Sequence, residues 1–107
     1  LKGGVANEGK VLPEEGLKKN TTPIKVKDPK TGKDVTTIPD ARQPTGATVE
    51  VKDVKTLSDS KQLRGQSVIS EQSGQKATVI TGTNTKVSST VEKRMNVVRK
   101  NYLGPQN

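Results

Sequence analysis

The fold is decided by residues 48–83, which read TVEVKDVKTLSDSKQLRGQSVISEQSGQKATVITGT. Apolar and charged residues alternate through residues 48–54, which is typical of a half-buried strand. Leucine and β-branched residues at roughly helical spacing predict a helix over residues 61–73, and the β-branched run 77–83 predicts a second strand. A strand, a helix and a strand in this order predict a parallel pair joined by a right-handed crossover.

The residues before this unit predict a helix and a hairpin. Residues 24–27 alternate between apolar and charged, residues 28–32 have the composition of a tight turn, and residues 35–38 are again rich in β-branched side chains. This pattern predicts a β-hairpin. A short helix is expected within residues 1–20, where glycines and a proline lie among a few apolar residues.

The last stretch of the chain predicts another helix. Val91, Met95 and Val98 are spaced as i, i+4 and i+7, which favours an amphipathic helix from Ser88 or Thr90 to about Lys100. The expected order is therefore helix, three strands, helix, strand, helix. This order indicates an α/β (α+β) fold in which helices flank a mixed β-sheet.

Composition limits both the core and the chemistry. The chain has 107 residues, a net charge of +8, 27% hydrophobic residues, 1% aromatic residues, and no Cys or His. One domain spanning residues 1–107 with a thin core is expected, and a disordered basic chain is the extreme alternative. Thiolate or imidazole metal sites and Ser-His-Asp catalysis are excluded. Apolar runs are too short for a membrane-spanning segment, and the first residue, Leu1, leads us to expect a fragment of a longer polypeptide.

Three charged residues predict a catalytic cluster. Asp40 follows Pro39, and ten residues later Glu50 and Lys52 lie on one face of the predicted strand. Two carboxylates form a hard-cation site suited to Mg²⁺ or Mn²⁺, and the lysine can hold a water or stabilise developing charge. The alternatives are a turn at Asp40 and a solvated strand face for Glu50 and Lys52.

Further basic residues are candidates for contacts with nucleic acid. Lys61 and Arg64 are three residues apart on the predicted second helix, so they lie on one side of it and can meet phosphates. Lys86 lies close to the predicted start of the last helix, where exposed N–H groups favour anions, although a plain solvated loop fits it equally well. The net charge of +8 suits a nucleic-acid ligand, and the near absence of aromatic residues argues against binding by base stacking.

An ordered set of short blocks carries a family resemblance. The spacing of Asp40, Glu50 and Lys52 resembles the PD-(D/E)XK signature of restriction-endonuclease-like nucleases. The wider set resembles the restriction-endonuclease-like toxin domains at the C-termini of large secreted bacterial proteins, including contact-dependent growth inhibition effectors. The blocks are Lys19 to Thr22, Ile38 to Asp40, Glu50 to Lys55, Ser60 to Arg64, Gly82 and Thr85 to Ser88.

The resemblance implies a role for each matching residue. Asp40 and Glu50 would bind the metal, Lys52 would be the catalytic lysine, and Gln62 or Arg64 would face the site from the helix. Relatives add a carboxylate from the first helix. Glu8 has the matching spacing, and Glu14 and Glu15 are the alternative candidates for this carboxylate.

The resemblance also implies a function. It predicts a metal-dependent nuclease toxin, delivered by secretion or from a cell surface, that acts in the cytoplasm of a target bacterium on tRNA or DNA, with tRNA slightly favoured. A basic nuclease endangers the cell that makes it, so a small acidic immunity protein is the expected partner. The alternative from another class is a non-catalytic basic module that binds nucleic acid without a metal.

Overall fold

The computed structural model describes residues 4–106, with side chains from residue 9 onward. Its three helices and eight strands, in chain order, are α1 (Gly4–Glu14), β1 (Ile24–Lys27), β2 (Asp34–Thr37), β3 (Ala41–Arg42), β4 (Thr48–Val51), β5 (Thr56–Leu57), α2 (Lys61–Glu71), β6 (Thr78–Gly82), β7 (Lys86–Val87), α3 (Ser89–Arg94) and β8 (Asn96–Lys100). None of these helices is long and apolar enough to cross a membrane.

The central sheet has the strand order β3-β4-β6-β8. The pairs β4–β6 and β6–β8 are parallel, whereas β3 is antiparallel to β4. The mixed sheet flanked by helices is therefore confirmed, as are the parallel strands on either side of α2. The short strands β5 and β7 form a separate parallel pair that the sequence patterns did not predict.

Strand β4 separates the two sides of the core. Val49 and Val51 belong to one buried cluster, which also contains Val11 and Leu12 of α1. The alternate residues Thr48 and Glu50 face α2, where Thr48 Oγ1 lies 3.1 Å from Ser70 Oγ and Glu50 Oε1 accepts a hydrogen bond from Gln66. Because side chains alternate across a strand, the face of β4 that carries Glu50 is turned toward a polar helix.

The hairpin β1–β2 packs on α2 through a glycine. A Cβ atom at Gly65 would lie 2.9 Å from Cγ1 of Val26 and 3.1 Å from Cγ1 of Val35. A larger residue at this position would push the hairpin away from the helix. The hairpin was predicted correctly, and the close packing brings its end at Thr37 near the middle of α2.

The predicted final helix is wrong in its second half. Helix α3 ends at Arg94, and Met95 is already extended, with φ −124° and ψ 157°. Strand β8 follows and pairs with β6. Within β8, Val97 and Val98 are partly buried and pack on different core clusters, which is the alternation of a strand covered on both faces. The spacing of Val91, Met95 and Val98 imitated a helix across this boundary.

Candidate active site

The antiparallel register of β3 and β4 brings Asp40 to Glu50. Ala41 pairs with Val49, so Asp40, one residue before β3, lies opposite Glu50. The backbone N–H of Asp40 donates to Glu50 Oε1 at 3.2 Å, and the backbone N–H of Val51 donates to Asp40 Oδ2 at 2.8 Å. The carboxylate of Glu50 is therefore anchored by the backbone of Asp40, and the carboxylate of Asp40 is anchored by the backbone of Val51.

Glu50 is held in a largely buried position beside α2. Its side chain is 14% exposed, and Oε1 also accepts a hydrogen bond of 3.0 Å from Gln66 Nε2. Burial raises the pKa of Glu50 above its ordinary value, and the negative charge of Asp40 adds to the rise. The hydrogen bond from Gln66 and the charge of Lys52 act in the opposite direction on this pKa. Ionisation of Glu50 is therefore less favourable here than in water, and a bound cation would stabilise the ionised form.

Two lysines face the carboxylates from the solvent side. Lys52 Nζ lies 3.8 Å from Glu50 Oε2, and Lys19 Nζ lies 2.8 Å from Asp40 Oδ1. Their side chains are 36% and 64% exposed, so both lysines are accessible to solvent. Lys52 follows β4 and still donates its backbone N–H to Ile80 O, which keeps it on the same face as Glu50. The structure thus brings together the predicted residues Asp40, Glu50 and Lys52.

The donor set fits a divalent cation of the Mg²⁺ type. Across the described side chains, no group of three or more acidic residues is placed to hold a metal ion. Mg²⁺ commonly uses one or two carboxylates and completes its shell with water and substrate phosphate oxygens. Asp40 and Glu50 supply such a pair. Nearby, Gln66 Oε1 is buried and has no hydrogen-bond partner among the described residues.

Gln66 is a site residue that the sequence patterns missed. It is fully buried, and its Nε2 donates both to Glu50 Oε1 and to Thr37 Oγ1, at 3.1 Å in the second case. Gln62 was one of the two residues expected to face the site, and Gln66 is one helical turn after it on the same side of α2. The spacing of Gln62 and Gln66, four residues apart on one helix, was the sequence signal that could have identified Gln66.

Replacing Gln66 by methionine is expected to raise the pKa of Glu50 further. Methionine fills similar space but cannot donate to the ionised carboxylate, whose hydrogen bond with Gln66 favours the charged form. An NMR titration of the Glu50 side-chain carboxyl in metal-free protein measures the shift. Gln62→Met is the matched control and should leave this pKa unchanged. A pKa of Glu50 in Gln66→Met at or below that of the wild type would contradict the assignment.

The acidic candidates of the first helix have different positions. The side chain of Glu8 is outside the described residues, so its predicted role stays a prediction. Glu15 lies 2.8 Å from Lys100 Nζ, and Glu14 accepts a hydrogen bond from the hydroxyl of Tyr102. These contacts tie the end of α1 to the C-terminal segment, and no contact of either carboxylate with Asp40 is present among the described side chains.

The predicted phosphate-binding residues are not all exposed. Lys61 and Lys86 are exposed, and Gln62 makes one long hydrogen bond, of 3.5 Å, to Thr36 O. Arg64 requires a correction, because its guanidinium is buried and paired with Asp28. Its side chain is only 11% exposed and forms an internal ion pair. Lys61 and Arg64 therefore do not form one phosphate-binding surface, although they are three residues apart.

The fold and this cluster define a class of protein. A mixed sheet flanked by helices, with an aspartate and a Glu-x-Lys sequence brought together at adjacent strands, is the arrangement of restriction-endonuclease-like domains. The chain belongs to the family described as restriction endonuclease fold toxin 7, whose family model matches residues 6–91. No curated protein and no solved structure matches the chain. Membership in this family indicates a nuclease toxin, and the matched span contains Asp40, Glu50 and Lys52 but ends before β8.

Proposed function

We propose that the chain is a metal-dependent nuclease that hydrolyses phosphodiester bonds of tRNA, with DNA as the second candidate substrate. The observation that carries the proposal is the contact of Asp40 with Glu50 beside Lys52, in a chain of a restriction endonuclease fold toxin family. The net charge of +8 supports a polyanionic substrate, because phosphate neutralisation supplies most non-specific affinity and steers association.

Each residue of the cluster has a proposed role. Asp40 and Glu50 hold Mg²⁺ or Mn²⁺, and Glu50 must be ionised to do so. When bound, the metal neutralises phosphate charge and lowers the pKa of water. Lys52, whose side chain is 36% exposed, orients the attacking water or stabilises the negative charge that develops on the phosphate. Gln66 fixes the orientation of Glu50 from the buried side.

The biological setting follows the toxin family. We place the chain within a larger secreted or surface-delivered effector, of the kind used in contact-dependent growth inhibition, with its activity in the cytoplasm of the target bacterium. A small acidic immunity protein is the proposed partner in the producing cell. Its charge would be complementary to the net +8 of this chain and would speed their association.

The test is a cleavage assay with a charge-matched control. Purified chain is incubated separately with total tRNA and with plasmid DNA, in Mg²⁺, Mn²⁺ or EDTA. We expect cleavage of tRNA that EDTA abolishes and that Asp40→Asn lowers by about 100-fold or more, because a preorganised charged group is lost. Asp34→Asn should cleave like the wild type, since Asp34 is an exposed hairpin residue whose carboxylate lies 3.4 Å from Lys27 Nζ.

Other outcomes would overturn parts of this proposal. Cleavage that survives both EDTA and Asp40→Asn would reject the metal site. Metal-dependent cleavage of plasmid alone would reject tRNA as substrate. Absence of cleavage, together with salt-sensitive binding that Asp40→Asn leaves intact, would reject the nuclease in favour of a non-catalytic binding module. In the same assay, the proposed acidic immunity protein should suppress cleavage when added in equal amount, and failure to do so would reject it as the partner.

A further inference from the structure

An apolar cavity opens directly beside the carboxylate cluster. It has a volume of about 390 Å³, within the usual range for sites that accept small molecules. Most of its wall is aliphatic, and one part of the wall is Asp40 itself. Its lining residues are Gly9, Leu12, Pro13, Leu17, Lys19, Asp40 and Val51. The proposed reaction at Asp40 does not use this space.

A second depression continues from the first. It has a volume of about 400 Å³ and shares Leu17 and Lys19 with the cavity. Lys18 and Arg42, both exposed, add two more positive charges to its wall. Arg42 Nε donates to Gly46 O at 2.6 Å, which orients the guanidinium group. An apolar cavity therefore adjoins a positively charged depression, and Lys19 lies between them.

We propose that the apolar cavity accepts the base of one unpaired nucleotide and that the charged depression carries the adjoining phosphates. The apolar wall suits the faces of a base, and the three cations suit a phosphate backbone. Because Asp40 forms part of the cavity wall, a nucleotide seated there has a phosphate close to the candidate metal ligands. The inference rests on the proposed nuclease function and specifies its substrate as single-stranded nucleic acid or an unpaired loop.

A paired base cannot occupy this cavity. The base faces of a duplex are covered by their neighbours in the stack, and extracting one base requires breaking its pairing and stacking. The chain has a single aromatic residue, Tyr102, so aliphatic side chains such as Leu12 and Val51 take the place of a stacking platform. Single-stranded RNA and single-stranded DNA share the chemistry that this surface recognises, and the experiment below separates them.

Gly9 offers a direct test because it lines the cavity with its backbone. A Cβ atom built at Gly9 meets nothing within 4 Å, so a side chain there extends into open space. Gly9→Leu fills the cavity and, since leucine favours helices more than glycine does, supports α1. Gly9→Ala gives most of the helical benefit with little filling and is the matched control.

Binding is measured in EDTA, so that no cleavage takes place. Labelled single strands of RNA and of DNA, and the duplex of the same sequence, are titrated by fluorescence anisotropy. We expect the wild type to bind single strands at least about tenfold more tightly than duplex, and Gly9→Leu to lose about tenfold for single strands. Gly9→Ala should stay within about twofold of the wild type. RNA binding tighter than DNA binding would assign RNA as the ligand, and the reverse would assign DNA.

Surface variants test the charged depression independently of α1. Lys18→Ala and Arg42→Ala should each lower the slope of log affinity against log salt by about 0.7 for a single strand, the effect of one lost phosphate contact. Lys30→Ala removes the same charge from the turn of the hairpin, away from Asp40, and should have a smaller effect. Equal slopes for Lys18→Ala, Arg42→Ala and Lys30→Ala would overturn the charged part of the proposal.

Unchanged single-strand binding by Gly9→Leu, or equal binding of duplex and single strand by the wild type, would overturn the proposal for the cavity. These results are separate from the fate of the nuclease proposal. If Asp40→Asn cleaves like the wild type while Gly9→Leu loses single-strand binding, the cavity binds a nucleotide and the catalytic assignment fails.

Discussion

Replacing Glu50 by glutamine is expected to lower the rate of nucleic-acid cleavage by about 100-fold or more and to leave the protein at least as stable as the wild type at neutral pH. Cleavage falls because a neutral amide is a poor ligand for Mg²⁺ and holds no charge against the phosphate. Stability does not fall, because glutamine has the same shape and keeps an oxygen that accepts from the N–H of Asp40 and from Gln66.

The direction of the stability change follows from the pKa of Glu50. Burial, together with the charge of Asp40, raises this pKa in the folded protein. Ionisation is therefore less favourable in the folded chain than in the unfolded chain, and the stability that protonated Glu50 provides is lost as pH rises through its folded pKa. Glu50→Gln avoids that loss. Its stability relative to the wild type should be greater at about pH 7.5 than at about pH 4.

The measurements are initial cleavage rates and the midpoint of thermal unfolding at the two pH values. Glu71→Gln, an exposed change of the same kind at the end of α2, is the control and should alter neither quantity. Cleavage by Glu50→Gln within a few-fold of the wild type would show that Glu50 binds no essential metal. A midpoint at neutral pH clearly below that of the wild type would show that the ionised carboxylate stabilises the fold.

The cluster of Asp40, Glu50 and Lys52 could be predicted from the sequence because its geometry is local. Ten residues separate Asp40 from Glu50, and the two short strands that carry them are neighbours, so strand alternation alone places Glu50 and Lys52 on one face. The strand, helix and strand of residues 48–83 were predictable for the same reason. Their apolar patterns match the environment in which each element packs.

Gln66 and Arg64 could not be assigned from local pattern. Gln66 contacts Glu50 across 16 residues, and Arg64 contacts Asp28 across 36 residues. Helix geometry predicts the side of α2 on which each side chain lies, but the partner depends on where the hairpin packs. A buried arginine has the same sequence signature as a phosphate-binding one. The role of β8 could not be predicted for the same reason, because Val97 and Val98 pack on opposite sides of a sheet that depends on pairing with β6.

The internal position of Arg64 leads to the second large effect. Arg64 Nε and Nη2 each lie 2.8 Å from an oxygen of Asp28, and Nη1 lies 2.8 Å from Asp59 Oδ2. Asp59 Oδ1 also accepts a hydrogen bond of 2.6 Å from Arg94. One guanidinium therefore links the turn of the hairpin to α2 and, through Asp59, to the end of α3. Because only 27% of the residues are hydrophobic, the small core can do little to compensate for the loss of this guanidinium.

Arg64→Met is expected to lower the midpoint of thermal unfolding by more than about 10 °C at neutral pH. Methionine preserves the stem of the side chain but leaves the carboxylate of Asp28 buried without its counter-charge, which is more costly than removing both partners. The double variant Arg64→Met with Asp28→Asn should therefore recover part of the loss. Lys61→Met, an exposed change on the same helix, is the charge-matched control and should shift the midpoint little.

The pH dependence separates an internal ion pair from a surface arginine that binds phosphate. The guanidinium of Arg64 holds the pKa of Asp28 well below its ordinary value. The stability that this pair provides is present above the pKa of Asp28 in the unfolded chain and is lost as pH falls toward the folded value. The difference in the midpoint of thermal unfolding between the wild type and Arg64→Met should therefore become smaller below about pH 4. A variant that melts like the wild type but binds nucleic acid weakly would instead place Arg64 at the substrate surface, as its spacing from Lys61 first indicated.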